Sequence, residues 1–399
     1  MKDFLKSVNP DIKNYIEKNI LPQYDNYDAA HTRRHILSVI EHSFEIKEAL
    51  QARKSVELDP DMVYVIAAYH DIGVCEGRKF HHISSGRMLA EDRTLEKWFT
   101  PDQIIVMKEA VEDHRASTGT TPRSIYGKVV SEADKSIDSD EIIARVILYG
   151  KDNYPEMTPE EHYNRCVNHL KEKYGDGGYL HLQFENTPNS ERLEKFRQLI
   201  RNPEALKEEY DKFCIHPIEP FLPENARILF LGSFPPPKAR WSMNFYYPNF
   251  QNDMWRILGY IFYNDKNHFI VPGEKRFDYD KAVKFSAETG LAFYDAAYMV
   301  KREKGNASDQ FLKIMEPTDI KSVLEKIPDC RAIVSTGGKS AETIAETLNC
   351  SVPEVGGHVK LALNSRDVVF YRMPSSSRAY PLPLEQKAGS YAQVFQTIL

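Results

Sequence analysis

The spacing of apolar residues changes once along the chain, near residue 210, and this change constrains the fold more than any other feature. Before it, stretches such as "QIIVMKEAVEDH" (residues 103–114) place apolar residues three and four positions apart, which is typical of amphipathic helices. After it, "RILFLGSF" (227–234), "CRAIVSTGG" (330–338) and "DVVFYRMPSSS" (367–377) are short apolar runs that are separated by helical stretches. Short apolar strands that alternate with helices are typical of parallel α/β sheets. The sequence therefore predicts an all-α domain followed by a three-layer α/β domain with a central parallel sheet.

The segment between the two patterns, "DKFCIHPIEPFLPENA" (211–226), contains three prolines and no apolar period. Proline interrupts both helices and sheets, so we interpret this segment as the link between two domains. The predicted domains are residues 1–210 and 214–399, and a chain of 399 residues is long enough to form two hydrophobic cores.

Charge and cysteine content limit the expected partners and compartment. Residues 1–210 carry 29 Lys and Arg against 37 Asp and Glu, whereas residues 211–399 carry 23 against 21, so any contact with a polyanion is expected in the second domain. The five cysteines form no C-x-x-C pair, which is typical of reduced thiols in the cytoplasm. The chain shows neither an apolar run long enough for a transmembrane helix nor the apolar core of a signal peptide. We therefore expect a cytoplasmic protein with no membrane contact.

Histidines and aspartates cluster near the ends of apolar stretches in the first domain. "AHTRRHILSV", "AAYHDIG" and "SEADK" contain His35, His70, Asp71 and Asp134. Burying adjacent His and Asp side chains is costly unless both bind something. Neutral imidazoles and carboxylates around one point are typical ligands of a first-row metal, which can activate water for hydrolysis.

The order of these motifs resembles the HD-domain phosphohydrolase superfamily over residues 25–175. The resemblance implies an all-helical, metal-dependent phosphomonoesterase or phosphodiesterase that acts on a small phosphorylated substrate, here expected to be of nucleotide type. It implies that a divalent transition metal (Mn, Fe, Co, Ni or Zn) is held by His35, His70, Asp71 and Asp134, with Asp71 also in a catalytic role. His82 and His114 match the extra histidines of members that bind a second metal or the phosphate.

Loops rich in aromatic, amide and hydroxyl side chains follow the predicted strands of the second domain. "NFYYPNFQNDMW" (244–255) contains five aromatic residues and three Asn, and "RMPSSSRAY" (372–380) contains three consecutive serines followed by Arg378. The carboxyl ends of parallel strands meet at one edge of a sheet, so we expect these loops to form two walls of one pocket. Aromatic rings can stack on a nucleic-acid base, and hydroxyl groups and arginine can contact phosphates.

These loops, together with "HPIEPFLPENARILFLGSFPP", "GLAFYDAAYMVKREKGNASDQFL" and "AIVSTGGKSAE", resemble the uracil-DNA glycosylase superfamily, in particular its mismatch-specific and hypoxanthine-DNA glycosylase branch. The likeness covers residues 214–399 and implies hydrolysis of the N-glycosidic bond of a deaminated base that is extruded from DNA, without a cofactor. It implies a catalytic Asn252, which matches the N-x-[FM]-W element of that branch in "NDMW". The implied base pocket contains Gly232, Ser233, Phe234, Tyr246 and Tyr247, and the implied DNA contacts are Pro374, Ser375, Ser376, Ser377, Arg378 and Lys339.

The chain departs from the family pattern in three loops. Efficient uracil enzymes carry an acidic residue two positions after the first strand's glycine, but Phe234 stands there. The hypoxanthine branch usually has His-Pro-Arg after its two tyrosines, where this chain has Asn-Phe-Gln (249–251). In the third loop it often has Asn beside Gly, where this chain has Gly337-Gly338. These departures affect the expected contacts to base and phosphate.

Some residues keep two interpretations. Asp295 in "LAFYDAA" is either a site residue or a structural carboxylate, and Trp255 is expected in the core. One of Tyr246 and Tyr247 is expected to stack on the base while the other packs inward.

The leading hypothesis is a bifunctional protein, a metal-dependent phosphohydrolase joined to a DNA glycosylase, whose shared role is the removal of deaminated bases from the nucleotide pool and from DNA. In one alternative, only the HD half is an enzyme, and the second half is a non-catalytic nucleic-acid- or nucleotide-binding module. In another, the HD half is a metal-bound scaffold, and the glycosylase is the only activity.

Overall fold

The computed structural model describes residues 3–27, 31–53, 56–115, 121–135, 137–304, 309–363 and 366–399. Contacts between Cα atoms divide the chain into two compact units, Met1–Leu206 and Lys207–Leu399. The described part of the first unit is helical and contains no strand, whereas the second contains two sheets, so the predicted fold class is confirmed. The exact limits of the two predicted domains stay a prediction.

The described part of the first unit is built from helices, and the last of them continues into the second unit. They are α1 (Pro10–Tyr15), α2 (Arg33–Ala52), α3 (Pro60–Tyr69), α4 (His81–Glu91), α5 (Pro101–Glu112), α6 (Ile125–Ala133), α7 (Ser139–Asn153), α8 (Pro159–Tyr174), α9 (Pro188–Arg201) and α10 (Pro203–Asp211).

A repeated Thr-Pro pair begins three of these helices. Thr100, Thr158 and Thr187 each accept a hydrogen bond from the backbone N–H three residues later, and the side chain of that later residue accepts a bond from the threonine N–H. Proline then occupies the first helical position, where its missing N–H costs nothing. These local signals fix where α5, α8 and α9 begin.

Helix α3 is the central helix of the first unit. Its residues from Met62 to Tyr69 are all buried, because this stretch is apolar on every face. A helix of this kind carries whatever follows it into the interior, and the residues that follow are His70 and Asp71, which are 0% and 3% exposed.

The main sheet of the second unit has five strands, β2 (Ile228–Gly232), β3 (Leu291–Asp295), β6 (Ala332–Ser335), β7 (His358–Leu363) and β8 (Arg366–Arg372). Their order in the sheet is β3-β2-β6-β8-β7. Four strands are parallel, and β7 pairs antiparallel with β8 at one edge. The three strands predicted from apolar runs are β2, β6 and β8, which lie side by side.

The helices of the second unit fall between and after these strands. They are α11 (Met254–Tyr263), α12 (Tyr279–Thr289), α13 (Ile320–Glu325), α14 (Gly338–Leu348) and α15 (Leu384–Ile398).

A second, antiparallel sheet was not predicted. It has the order β1-β4-β5, with β1 (Phe213–Ile215), β4 (Ala297–Arg302) and β5 (Leu312–Pro317). Strand β1 lies inside the proline-rich segment 211–226, and Cys214 pairs with Val300 of β4. The start of this segment is therefore an ordered strand of the second unit.

Candidate functional site

Asp71 lies between two pairs of histidines in the first unit. Its Oδ2 atom is 3.2 Å from His70 Nε2 and 3.5 Å from His35 Nε2. Its Oδ1 atom is 3.2 Å from His81 Nε2 and 3.4 Å from His114 Nε2. One buried carboxylate thus faces two separate groups of nitrogen donors, each of which could hold a metal ion.

The ends of five helices bring these donors together. His35 is in the first turn of α2, and His70 and Asp71 directly follow α3. His81 is the first residue of α4 and His114 follows α5, while Asp134 ends α6. Asp134 Oδ1 lies 3.2 Å from His35 Nε2, so it completes the first group. The structure therefore brings together five of the predicted metal ligands: His35, His70, Asp71, Asp134 and His114.

Hydrogen bonds to the backbone orient three of the imidazole rings. The Nδ1 atoms of His70, His81 and His114 lie 2.8, 2.8 and 2.6 Å from the carbonyl oxygens of the residues three positions earlier. A carbonyl oxygen can only accept, so each Nδ1 donates and the lone pair of a neutral ring is on Nε2. This is the tautomer that binds a metal, and the backbone bond is a common outer contact of metal-binding histidines.

The charges at the site attract a cation. Burial lowers the pKa of His35, but hydrogen bonds to Asp134 and Asp71 outweigh it and raise that pKa to about 9. Burial raises the pKa of Asp71, but the charge of His70 and hydrogen bonds from His114 and His35 outweigh it and hold that pKa well below the usual range. The carboxylates are thus kept ionised among nitrogen donors. This set of imidazole and carboxylate donors fits a divalent transition metal.

His82 is the predicted ligand that the structure does not bring to Asp71, and His81 takes its place. His82 Nδ1 is buried without a hydrogen-bond partner among the described residues, and burial lowers the pKa of the ring. The sequence offered two adjacent histidines and no means of choosing between them. The choice depends on where α4 begins, because only the first helical residue points back towards the end of α3.

A cleft of about 680 Å³ lies at the carboxyl ends of the parallel strands in the second unit. It is lined by the predicted base-pocket residues Gly232, Ser233, Phe234, Tyr246 and Tyr247, and by Asn252, Ser375, Ser376, Ser377 and Arg378. Two predicted DNA contacts, Pro374 and Lys339, are not among its lining residues. Pro374 is buried, and its carbonyl accepts a hydrogen bond from Tyr391, so it supports the serine loop from behind.

The two tyrosines of the opening loop have different environments. Tyr246 is 2% exposed, and its hydroxyl donates to the Glu219 carbonyl at 2.8 Å. Tyr247 adopts a left-handed backbone conformation with φ of 52°, and its hydroxyl lies 3.2 Å from Thr336 Oγ1 across the cleft. Tyr247 is therefore the better placed of the two to stack on a ligand. Trp255 is fully buried and donates to the Tyr246 carbonyl, as expected for a core residue.

Asn252 is joined to the serine loop. Its Oδ1 accepts from the N–H of Met254, the first residue of α11, at 2.8 Å, and its backbone pairs with Ser377. The next residue, Asp253, accepts bonds from Arg378 Nε and Lys387 Nζ, both at 3.2 Å. Lys387 is 1% exposed, so this ion pair lies in the interior and fixes the two walls of the cleft against each other.

Asp295, which lines the same cleft, forms a buried pair with His216. His216 Nε2 lies 2.8 Å from Asp295 Oδ2, and the two side chains are almost fully buried. The sequence alone leaves two interpretations for Asp295, and it gives no signal for His216. The two residues are 79 positions apart, and His216 lies in the proline-rich segment, so no local pattern connects them.

Comparison with known proteins finds an HD domain at residues 32–137. HD domains bind divalent metals, and the predictions of a hydrolase and of metal binding in this region are confirmed. No curated protein matches the chain.

Two solved structures are similar to parts of the chain. One is a predicted uracil DNA glycosylase from Methanosarcina acetivorans, with 22% identity, 45% of this chain and 95% of that chain covered, and a TM-score of 0.33. The other is a predicted HD superfamily hydrolase from an uncultured Thermotogales bacterium, with 22% identity, 40% and 88% covered, and a TM-score of 0.26. Over the described residues, none of the helices combines the length and apolar content needed to cross a bilayer.

Proposed function

We propose that this hydrolase combines a metal-dependent phosphohydrolase in the first unit with a DNA glycosylase in the second. The first unit would act on a small phosphorylated substrate of nucleotide type. The observation that carries this half is the position of Asp71, whose two carboxylate oxygens each face a pair of histidines.

The residues around Asp71 form two groups, each of which would hold one metal ion. His35, His70 and Asp134 would hold one ion with Asp71 Oδ2, and His81 and His114 would hold a second with Oδ1. A divalent ion bound there supplies Lewis-acid polarisation of a phosphoryl group and activation of water. The backbone carbonyls behind His70, His81 and His114 keep each Nε2 lone pair directed inward, and burial excludes bulk water from that side.

Metal analysis and a phosphatase screen test this half. The purified protein should contain one or two transition-metal ions per chain and should release phosphate from nucleotide substrates with Mn²⁺, Co²⁺ or Ni²⁺. Asp71→Ala should lose most of the metal, because Asp71 contributes to both groups. Asp102→Ala, which removes an exposed carboxylate from the first turn of α5, is the control and should keep it. Full occupancy in Asp71→Ala would contradict the assignment, and bound metal without phosphatase activity would favour the scaffold alternative.

The glycosylase half is favoured by the composition of the second cleft. Tyr247 offers an aromatic face, Asn252 an oriented amide, and Ser375–Arg378 hydroxyl and guanidinium groups on the opposite wall. These are the groups that stack on an extruded base, bind its edge and contact flanking phosphates. The product would be a free base and an abasic site.

Base release from duplexes that contain uracil or hypoxanthine tests this second half. Release should persist in EDTA, whereas phosphatase activity should disappear. Arg378→Ala should weaken duplex binding and reduce its salt dependence by about one phosphate contact. Duplex binding without base release would instead favour a non-catalytic binding module.

A further inference from the structure

We propose that Asp295, at the end of β3 beside Gly232, is a catalytic carboxylate of the second cleft. This inference rests on the proposed glycosylase function and assigns a residue to it. The sequence places Ser233 and Phe234 after Gly232, so the loop itself offers no carboxylate. The adjacent strand offers one instead.

The register of the sheet places Asp295 beside Gly232. Strands β2 and β3 are parallel, and Gly232 pairs with Asp295 at their carboxyl ends. A Cβ atom on residue 232 would lie 2.3 Å from Asp295 Oδ1, so only glycine allows the carboxylate to occupy this position. The side chain thus reaches over the end of β2 and lines the cleft.

His216 holds the carboxylate in a defined orientation. Its Nε2 lies 2.8 Å from Asp295 Oδ2 and its Nδ1 lies 2.7 Å from the Ile218 carbonyl oxygen. Its ring contacts Tyr294 and Phe234, with ring centroids 4.6 and 5.3 Å away. One carboxylate oxygen is therefore engaged from behind, while Oδ1 lies beside Gly232. A carboxylate held in this way is preorganised, because it needs no rearrangement before a reaction.

The geometry suits two roles in N-glycosidic hydrolysis. As a water oxygen bonds to the deoxyribose C1′, the C1′–N bond breaks and its electron pair leaves with the base. The proton of the attacking water passes to Asp295 Oδ1, and the departing base takes up a proton from solvent. The negative charge of Asp295 also stabilises the positive charge that develops on the sugar. The Asn252 amide can do neither, because it is neutral and cannot act as a general base.

A second carboxylate, Asp309, lines the same cleft and must be distinguished from Asp295. It accepts a hydrogen bond from Ser233 Oγ at 2.8 Å and is exposed. Asp295 is 7% exposed and is fixed by both the sheet register and His216, so the structure assigns the reaction to Asp295.

Single-turnover base release by Asp295→Asn tests the proposal. The rate on duplexes with mismatched uracil or hypoxanthine should fall by about 10²-fold or more, the scale of general acid–base catalysis. Duplex affinity should not weaken, because the substitution removes a negative charge near DNA. Affinity and thermal unfolding also report whether the variant is folded. Asp319→Asn is the matched control and should react at the wild-type rate, because Asn can replace Asp as the cap of α13.

The outcomes separate this proposal from the function on which it rests. A wild-type enzyme that releases base, with an Asp295→Asn variant of equal rate, overturns the role of Asp295 and leaves the glycosylase function intact. A loss in Asp309→Asn with no loss in Asp295→Asn transfers the role to Asp309 and also overturns the proposal. A wild-type protein that releases no base overturns both the proposal and the glycosylase function.

Discussion

The Nε2 atoms of His81 and His114 lie 3.1 Å apart, and both face the same oxygen of Asp71. Two lone-pair nitrogens and a carboxylate oxygen at this separation repel one another unless a cation or a proton lies between them. The neighbouring His82 belongs to neither group of possible metal ligands, which allows a direct comparison of two adjacent histidines.

We expect His81→Ala to lower the metal content by about one ion per chain, because the neutral imidazole of His81 would be a ligand of the second ion. His82→Ala should keep the wild-type content, since His82 is not brought to Asp71. Elemental analysis of the two purified variants measures the difference. Equal metal loss in both variants, or loss only in His82→Ala, would show that the second group of ligands is assigned incorrectly.

Asn252→Ala should slow base release by about 10²-fold, the scale for removing one oriented polar group from an active site. It should also lower the free energy of unfolding by about 1 kcal/mol, because the hydrogen bond to Met254 N–H is lost. Asn252→Asp separates the two effects, since it keeps the accepting oxygen but loses the amide N–H groups. Single-turnover kinetics and thermal unfolding of both variants provide the measurement. A wild-type rate in Asn252→Ala would exclude a catalytic role.

The fragments 1–206 and 207–399 should each unfold cooperatively, because each compact unit has its own hydrophobic core. A fragment that begins at residue 214 should be less stable than 207–399. It lacks Phe213 of β1 and Glu209, whose carboxylate contacts the buried Lys301. Removing such a partner costs about 2 kcal/mol. Urea unfolding of the fragments measures the difference, and an unfolded 207–399 would contradict the independence of the units.

We expect the free energy of unfolding of the first unit to depend on pH through Asp92. Burial raises its pKa, but hydrogen bonds from Tyr15 and Tyr69 outweigh it and lower the folded-state pKa below the ordinary value of 3.8. The unfolded chain therefore binds this proton more readily. The stabilisation is complete above the ordinary carboxyl pKa and is lost as pH falls through the folded-state pKa.

Asp92→Asn should accordingly reduce the free energy of unfolding at pH 7 and have a smaller effect below about pH 3. Urea unfolding at both pH values measures this dependence, with the exposed Asp102→Asn as control. A difference between wild type and Asp92→Asn that stays constant with pH would contradict the interpretation.

The parts of the molecule that could be predicted from sequence depend on short-range patterns. The His70-Asp71 pair follows an apolar helix, and β2, β6 and β8 are apolar runs that end in loop residues. In each case, the apolar pattern and the helix or strand that it predicts lie within about ten residues of each other along the chain.

The parts that could not be predicted depend on long-range packing. Strand β1 has three residues and forms only because β4 supplies hydrogen-bond partners more than 80 residues later. The meeting of His216 with Asp295 follows from that pairing, because His216 directly follows β1. The selection of His81 over His82 depends on one residue of helix phase, which is finer than sequence patterns resolve.

The buried Lys387 has a consequence for how the second cleft could bind a polyanion. Asp253 accepts from both Lys387 and Arg378, and only Arg378 lies at the surface, with 45% of its side chain exposed. If a phosphate takes Arg378 as its counter-ion, Asp253 keeps the charge of Lys387, which also donates to the Ser377 carbonyl. Arg378 can therefore leave Asp253 and bind a phosphate, while Lys387 still holds both Asp253 and the serine loop in place.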